Sequence, residues 1–123
     1  MRALMMTLIF SLSFLSSPAL SAGDATKGKR VFKRCVACHS LEEGKKKIGP
    51  DLADIIGRKG AMREGYPYSK ALLEAGLTWD EATLRLFLKN PKKALPGTKM
   101  AFPGIRKDAD LDNLIAFLSS PSN

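Results

Sequence analysis

The sequence predicts an all-α chain in which a few helices are joined by long loops. Three observations carry this. Apolar side chains recur at helical spacing in several segments. No alternating run is long enough for a useful β-strand. The stretches 39–65 and 90–107 are rich in Gly, Pro and Lys and poor in helix signals.

The chain has 123 residues, enough for one domain. Its start reads as an address rather than as fold. Arg2 is followed by an uncharged, nearly all-apolar run from Ala3 to Leu15, then Ser16-Ser17-Pro18 and the small-residue run Ala19-Leu20-Ser21-Ala22. Positive, apolar, small is the order of a secretory signal peptide, with cleavage placed after Ser21. An uncleaved anchor is the alternative, but the run of ~13 residues is short of the ~20 that span a bilayer. The expected division is therefore 1–21 signal peptide and 22–123 mature domain.

Within that domain, Asp24–Arg34 reads as the first helix, capped by Asp24, with Gly28, Val31 and Phe32 on one face. Ser69–Glu74 is a short helix with Ser69 as cap and Gly76 as stop. Thr78-Trp79-Asp80-Glu81 reads as a capping box with Thr78 at the cap, opening a helix to about Lys89 that Asn90-Pro91 ends. Pro96–Gly104 is a second loop. Asp108–Leu118 is the last helix, with Leu111, Leu114, Ile115 and Leu118 at helical spacing. Loops this long exceed what a small bundle supports by itself; a large apolar cofactor between them would hold them.

Cys35-Val36-Ala37-Cys38-His39 supplies that cofactor, being the attachment sequence of haem c. Two thiols three apart can add to the two vinyl groups of a porphyrin, and the next residue offers an imidazole to the iron. Other readings fit less well. Zinc asks for four ligands, and the chain has two Cys and one His. A thioredoxin-like redox pair asks for a βαβ context that is absent, and a plain disulfide leaves the adjacent His unexplained.

Because His39 is the only histidine, a second imidazole ligand within the chain is excluded. Methionine opposite histidine is a common alternative. The mature chain offers Met62, in Gly60-Ala61-Met62-Arg63, and Met100, in Pro96-Gly97-Thr98-Lys99-Met100-Ala101-Phe102-Pro103. A thioether is a weak, neutral ligand and needs a loop held in place. Pro96 and Pro103 restrict the second loop, which nominates Met100.

Further motifs are Gly49-Pro50-Asp51-Leu52, Gly57-Arg58-Lys59, Thr78-Trp79, Asn90-Pro91-Lys92-Lys93 and Leu114-Ile115-Ala116-Phe117-Leu118. With the haem motif and the Met100 loop they cover essentially all of 23–119, and the sequence resembles the soluble class I cytochromes c, which include mitochondrial cytochrome c and its bacterial periplasmic relatives. The resemblance implies the small cytochrome c fold, with helices and long loops wrapped around one haem c held covalently through Cys35 and Cys38. It implies that the first and last helices cross at Gly28 and Phe32 against Leu114 and Phe117. Pro50 matches the residue whose carbonyl accepts a hydrogen bond from the ligand histidine. Arg58, Tyr68 and Trp79 match groups that hydrogen-bond one haem propionate, and Thr98 matches a hydroxyl at the other. Phe102 matches an aromatic packed on the Met side. Leu72 and Phe87 depart from the mitochondrial pattern, standing where Asn and Tyr are usual, which implies a drier Met side.

Loss of Arg2 takes one from 20 basic groups against 12 acidic, leaving a mature net charge of +7. Lys27, Lys29, Lys33, Lys45, Lys46, Lys47, Lys92, Lys93 and Lys99 flank both haem-binding loops. Export and the lack of a basic helix interleaved with aromatics argue against nucleic acid. The expected partners are acidic docking surfaces of membrane redox complexes, met transiently by a peripheral monomer. The reading is a periplasmic single-electron carrier between a quinol-oxidising bc-type complex and a terminal oxidase or photosynthetic reaction centre. The rival, a haem enzyme or gas sensor, needs an open iron site, and no acid–base set stands near Met100.

Overall fold

The computed structural model describes residues 23–121, so the signal peptide expected over 1–21 lies outside the described residues. Helix α1, Ala25–Phe32, begins where the Asp24 side chain accepts the Lys27 N–H at 3.0 Å. Its α-helical bonding stops two residues before the expected Arg34. From there the chain runs on in tight turns through Cys38, with Cys35 N–H bonded to Phe32 O at 2.8 Å and His39 N–H to Cys35 O at 2.8 Å. The haem motif thus starts on the turn that ends α1.

Helix α2, Lys70–Ala75, has Ser69 as cap and Gly76 in the left-handed conformation as stop, as the sequence predicts. Helix α3, Glu81–Lys89, corrects the capping box. Asp80, not Thr78, is the cap, its carboxylate accepting the Thr83 N–H at 2.7 Å. The reason is tertiary. Thr78 forms an antiparallel bridge with Lys59, and Trp79 exchanges backbone bonds with Gly57 and Arg58, so both are held extended. Helix α4, Pro91–Ala94, was not expected: Asn90 ends α3 but also caps a new turn with Pro91 at its first position, where a missing N–H costs nothing. Helix α5, Asp108–Ser119, carries Asp108 and Asp110 in its first turn, favourable to the helix dipole. Apart from the single bridge, the described residues contain no β-strand.

The α1–α5 crossing organises the core. A Cβ on Gly28 would overlap the Asn113 carbonyl and the Phe117 Cβ, so only glycine lets the backbones meet. Phe32 and Phe117 pack with ring centroids 5.4 Å apart, and Leu111, Leu114, Leu118, Leu84, Leu88 and Ile105 close the cluster. Arg85 joins α3 to α5 through ion pairs with Asp108 and Asp112. Gly104, at φ +104°, brings the 95–107 loop back onto the end of α3, where a Cβ would meet the Lys89 carbonyl.

Candidate haem site

His39 is held by the loop that follows it. Gly49 N–H bonds Cys38 O at 2.7 Å and Leu52 N–H bonds Ser40 O at 2.7 Å, which folds the loop back on itself. This sets the Pro50 carbonyl 2.7 Å from His39 Nδ1. Gly49 lies against the imidazole, and a Cβ there would run into the ring. Burial lowers the His39 pKa; the Pro50 bond opposes this and the Lys47 charge adds to it. At neutral pH the imidazole is therefore neutral, with Nδ1–H donating to Pro50 and the Nε2 lone pair available to a metal.

Cys35 and Cys38 are half-buried free thiols, not a disulfide. Burial pushes the Cys35 thiol pKa up, with Arg34 offsetting part of it. Met100 is half-buried against the core, whereas Met62 is 58% exposed. Two side chains shape the Met100 loop. Thr98 Oγ1 accepts the Met100 N–H at 3.3 Å, and Lys99 Nζ donates to Pro67 O at 2.8 Å and Tyr68 O at 3.4 Å. Lys99 therefore straps the Met100 loop to the Tyr68 segment.

The backbone pairs two of the three expected propionate donors. Trp79 and Arg58 are paired through Trp79 N–H to Arg58 O at 2.8 Å, and the Tyr68 hydroxyl accepts the Arg63 N–H at 3.0 Å. Arg58 also serves the loop: Nη2 donates to Asp51 O and Nη1 to Ala53 O, both at 2.8 Å. A guanidinium has five N–H groups, so donors remain over. Phe102, Met100 and Leu72 are each partly buried against the core cluster. Phe87 is buried, its ring 5.0 Å from that of Trp79.

Sequence reasoning missed two residues here. Asp51 is 3% exposed, and its carboxylate accepts from Arg63, Gly44 N–H and Ala53 N–H. Arg63 stood in the sequence only as a charge beside Met62. No periodic signal marks a buried ion pair between loop residues.

These residues fit a haem. Leu41, Leu52, Ile56, Leu72, Leu77, Leu95, Met100 and Phe102 are apolar yet only partly buried, and they pack against the core cluster. Side chains of this kind left half-covered suit a large apolar plane. The free thiols and anchored imidazole supply its attachment chemistry. A bare metal ion is not served, for among the described residues no group of three His, Cys, Asp or Glu could hold one.

Residues 25–122 match the sequence profile of the family described as Cytochrome c. The chain belongs to the cytochrome c family. It is 46% identical to cytochrome c-554 of Methylosinus trichosporium over 94% of this chain and 89% of that one. It is 41% identical to cytochrome c2 of Rhodomicrobium vannielii over 98% and 97%. Among solved structures, cytochrome cH from Methylobacterium extorquens superposes with a TM-score of 0.74 at 46% identity, covering 78% of this chain and 97% of that one. As a cytochrome c, the chain binds one covalent haem c at Cys35 and Cys38 and is an electron carrier, not an enzyme.

Proposed function

We propose that this cytochrome c is a soluble periplasmic carrier whose haem iron is ligated by His39 and Met100 in both oxidation states. The observation that carries the reading is the contrast within the donor set. The chain's one histidine is anchored through Nδ1 on Pro50, and of the two described methionines only Met100 is packed into the core edge. The haem supplies the one-electron Fe(III)/Fe(II) couple.

The residues have separate tasks. The Pro50 carbonyl orients His39 and makes it a stronger donor. Met100 is a neutral, soft ligand that favours the reduced state and raises the potential. Arg58, Tyr68 and Trp79 offer N–H and O–H groups to one propionate, and Thr98 to the other, where a carboxylate without partners would be costly. Phe102, Leu72 and Phe87 keep the Met side apolar. Export is supported by the Arg2, apolar and small-residue order of 1–21, and among the described residues no helix is long and apolar enough to cross a membrane. Exposed Lys33, Lys46, Lys92 and Lys93 would steer the carrier, as a monomer, onto acidic docking surfaces of membrane redox complexes. Those complexes would be a quinol-oxidising bc-type complex on the donor side, and a terminal oxidase or photosynthetic reaction centre on the acceptor side.

Optical spectroscopy tests the ligation. The ferric protein should show a methionine-to-iron charge-transfer band, and the ferrous protein should bind carbon monoxide slowly. Met100→Ala should abolish the band, lower the potential and open the site to carbon monoxide, while Met62→Ala leaves all three unchanged. Immediate carbon monoxide binding by the unaltered protein, or loss of the band in Met62→Ala, overturns the assignment.

A further inference from the structure

The acceptor of the His39 bond belongs to the Pro50–Asp51 peptide, so whatever fixes that peptide fixes the hydrogen bond. One side is stiffened by the Pro50 ring. The other is Asp51, and every polar atom the structure pairs there points to a clamp. Its carboxylate accepts from Arg63 Nη2 at 2.9 Å, Ala53 N–H at 3.1 Å, Gly44 N–H at 3.2 Å and Arg58 Nη1 at 3.4 Å. Arg63 Nη2 also reaches Ala53 O at 3.2 Å, and Nη1 reaches the exposed Glu43 at 3.2 Å. Arg63 Nε lies 2.9 Å from Asp51 Oδ2 but outside hydrogen-bond geometry. A cavity of about 170 Å³ lies against Pro50, Asp51 and Arg63. Water therefore has room beside the loop, and the carboxylate clamp adds to the Gly49 and Leu52 backbone bonds and to Arg58 Nη2 on Asp51 O at 2.8 Å in bracing the peptide.

We infer that Arg63, acting through Asp51, is a positioning residue for the iron ligand: it holds the Pro50 carbonyl on His39 Nδ1–H and thereby lowers the reduction potential. This rests on His39 being the iron ligand. The physical link is the basicity of the imidazole. A firm acceptor at Nδ1 gives the ring more imidazolate character, which favours Fe(III). A slack acceptor does the reverse.

Arg63→Lys in the haem-loaded protein separates this role from charge. Lysine keeps the positive charge but cannot reproduce the forked contacts to Asp51, Ala53 and Glu43. Two readouts are taken, the midpoint potential and the exchange of the His39 ring N–H followed by proton NMR. The expected result is a higher potential together with ring N–H exchange roughly tenfold faster, the scale of one lost charged hydrogen bond. An unmoved ring N–H exchange overturns the inference, whether or not potential or thermal stability changes. Should Arg63→Lys fail to accumulate with haem, native-state exchange on the unaltered protein serves instead. The Ala53 amide and the His39 ring N–H should then open together at one denaturant dependence, and a ring proton that exchanges while Ala53 stays protected overturns it. The parent reading fails differently: it would show as a ferric spectrum without paramagnetically shifted His39 ring protons in the unaltered protein.

Discussion

Asp51 shows how neighbours decide the ionisation of one buried side chain. Burial alone raises its pKa, but the hydrogen bond from Arg63 and the N–H groups of Gly44 and Ala53 outweigh it and hold the carboxyl below its ordinary 3.8. A group whose folded pKa is depressed stabilises the fold above its unfolded value, and that stability is lost as pH falls through the folded one. Acid titration of the holoprotein should therefore show a loss of stability starting below pH about 4, and Asp51→Asn should flatten that limb. A limb of unchanged steepness in the variant would assign acid unfolding to other carboxylates. Leu72 and Phe87 make the second residue-scale case. Leu72 is partly buried against the core cluster and Phe87 is buried within it beside Trp79, and neither carries a polar group. A high-resolution crystal structure should show no ordered water network there, and Phe87→Tyr should introduce one. His39 was legible because its signal is local, the chain's single histidine in a contiguous motif; Met100 was nominated by its proline-bounded loop, and Pro50 came only through the family resemblance. Arg63 was not, because its partner lies twelve residues away across a loop with no periodicity.

At the scale of elements, the α1–α5 crossing carries the sharpest prediction. Gly28→Ala puts a methyl into the Asn113 carbonyl, so the helices must part. The expected cost is about 1–3 kcal/mol, seen as a lower denaturation midpoint with an unchanged slope. A midpoint equal to that of the unaltered protein would mean that the crossing relaxes freely. Helix positions were read well where one local signal is strong: the Ser69 cap and Gly76 stop for α2, the apolar spacing for α5. The start of α3 was misread because two candidate caps stand two residues apart, and only the 57–60 against 77–79 pairing removes Thr78 from contention. Helix α4 was missed because Asn90-Pro91 stops one helix and starts the next, and both meanings follow from the same missing N–H.

For the whole molecule, the charge excess is the main long-range feature, but its lysines are not equivalent. Lys99 and Lys47 spend their ammonium groups on backbone carbonyls, of Pro67 and Tyr68 and of Val36, and so brace the haem loops. Lys33, Lys46, Lys92 and Lys93 are exposed and suited to steering. Between about 0.01 M and 0.15 M salt the Debye length shrinks from roughly 30 Å to 8 Å. Electron transfer to the membrane partner should slow by about tenfold over that range, and Lys92→Gln/Lys93→Gln should lessen the salt dependence. A rate flat in salt would remove charge steering from the proposed role. Lys99→Gln should instead weaken the strap on the Met100 loop, with little change in salt dependence.

The sequence by itself determined the cofactor and the helical class. Covalent attachment needs only a contiguous Cys-x-x-Cys-His, and helix formation needs only local spacing and caps, so both are written within a few neighbouring residues. Tertiary structure alone decided that Asp80 rather than Thr78 caps α3, that Lys99 ties the Met100 loop to Tyr68, and that Arg63 pairs with Asp51 next to Pro50. These depend on loops brought together from distant parts of the chain, where a buried charge is stable only because its partners converge on it. No local pattern encodes that convergence.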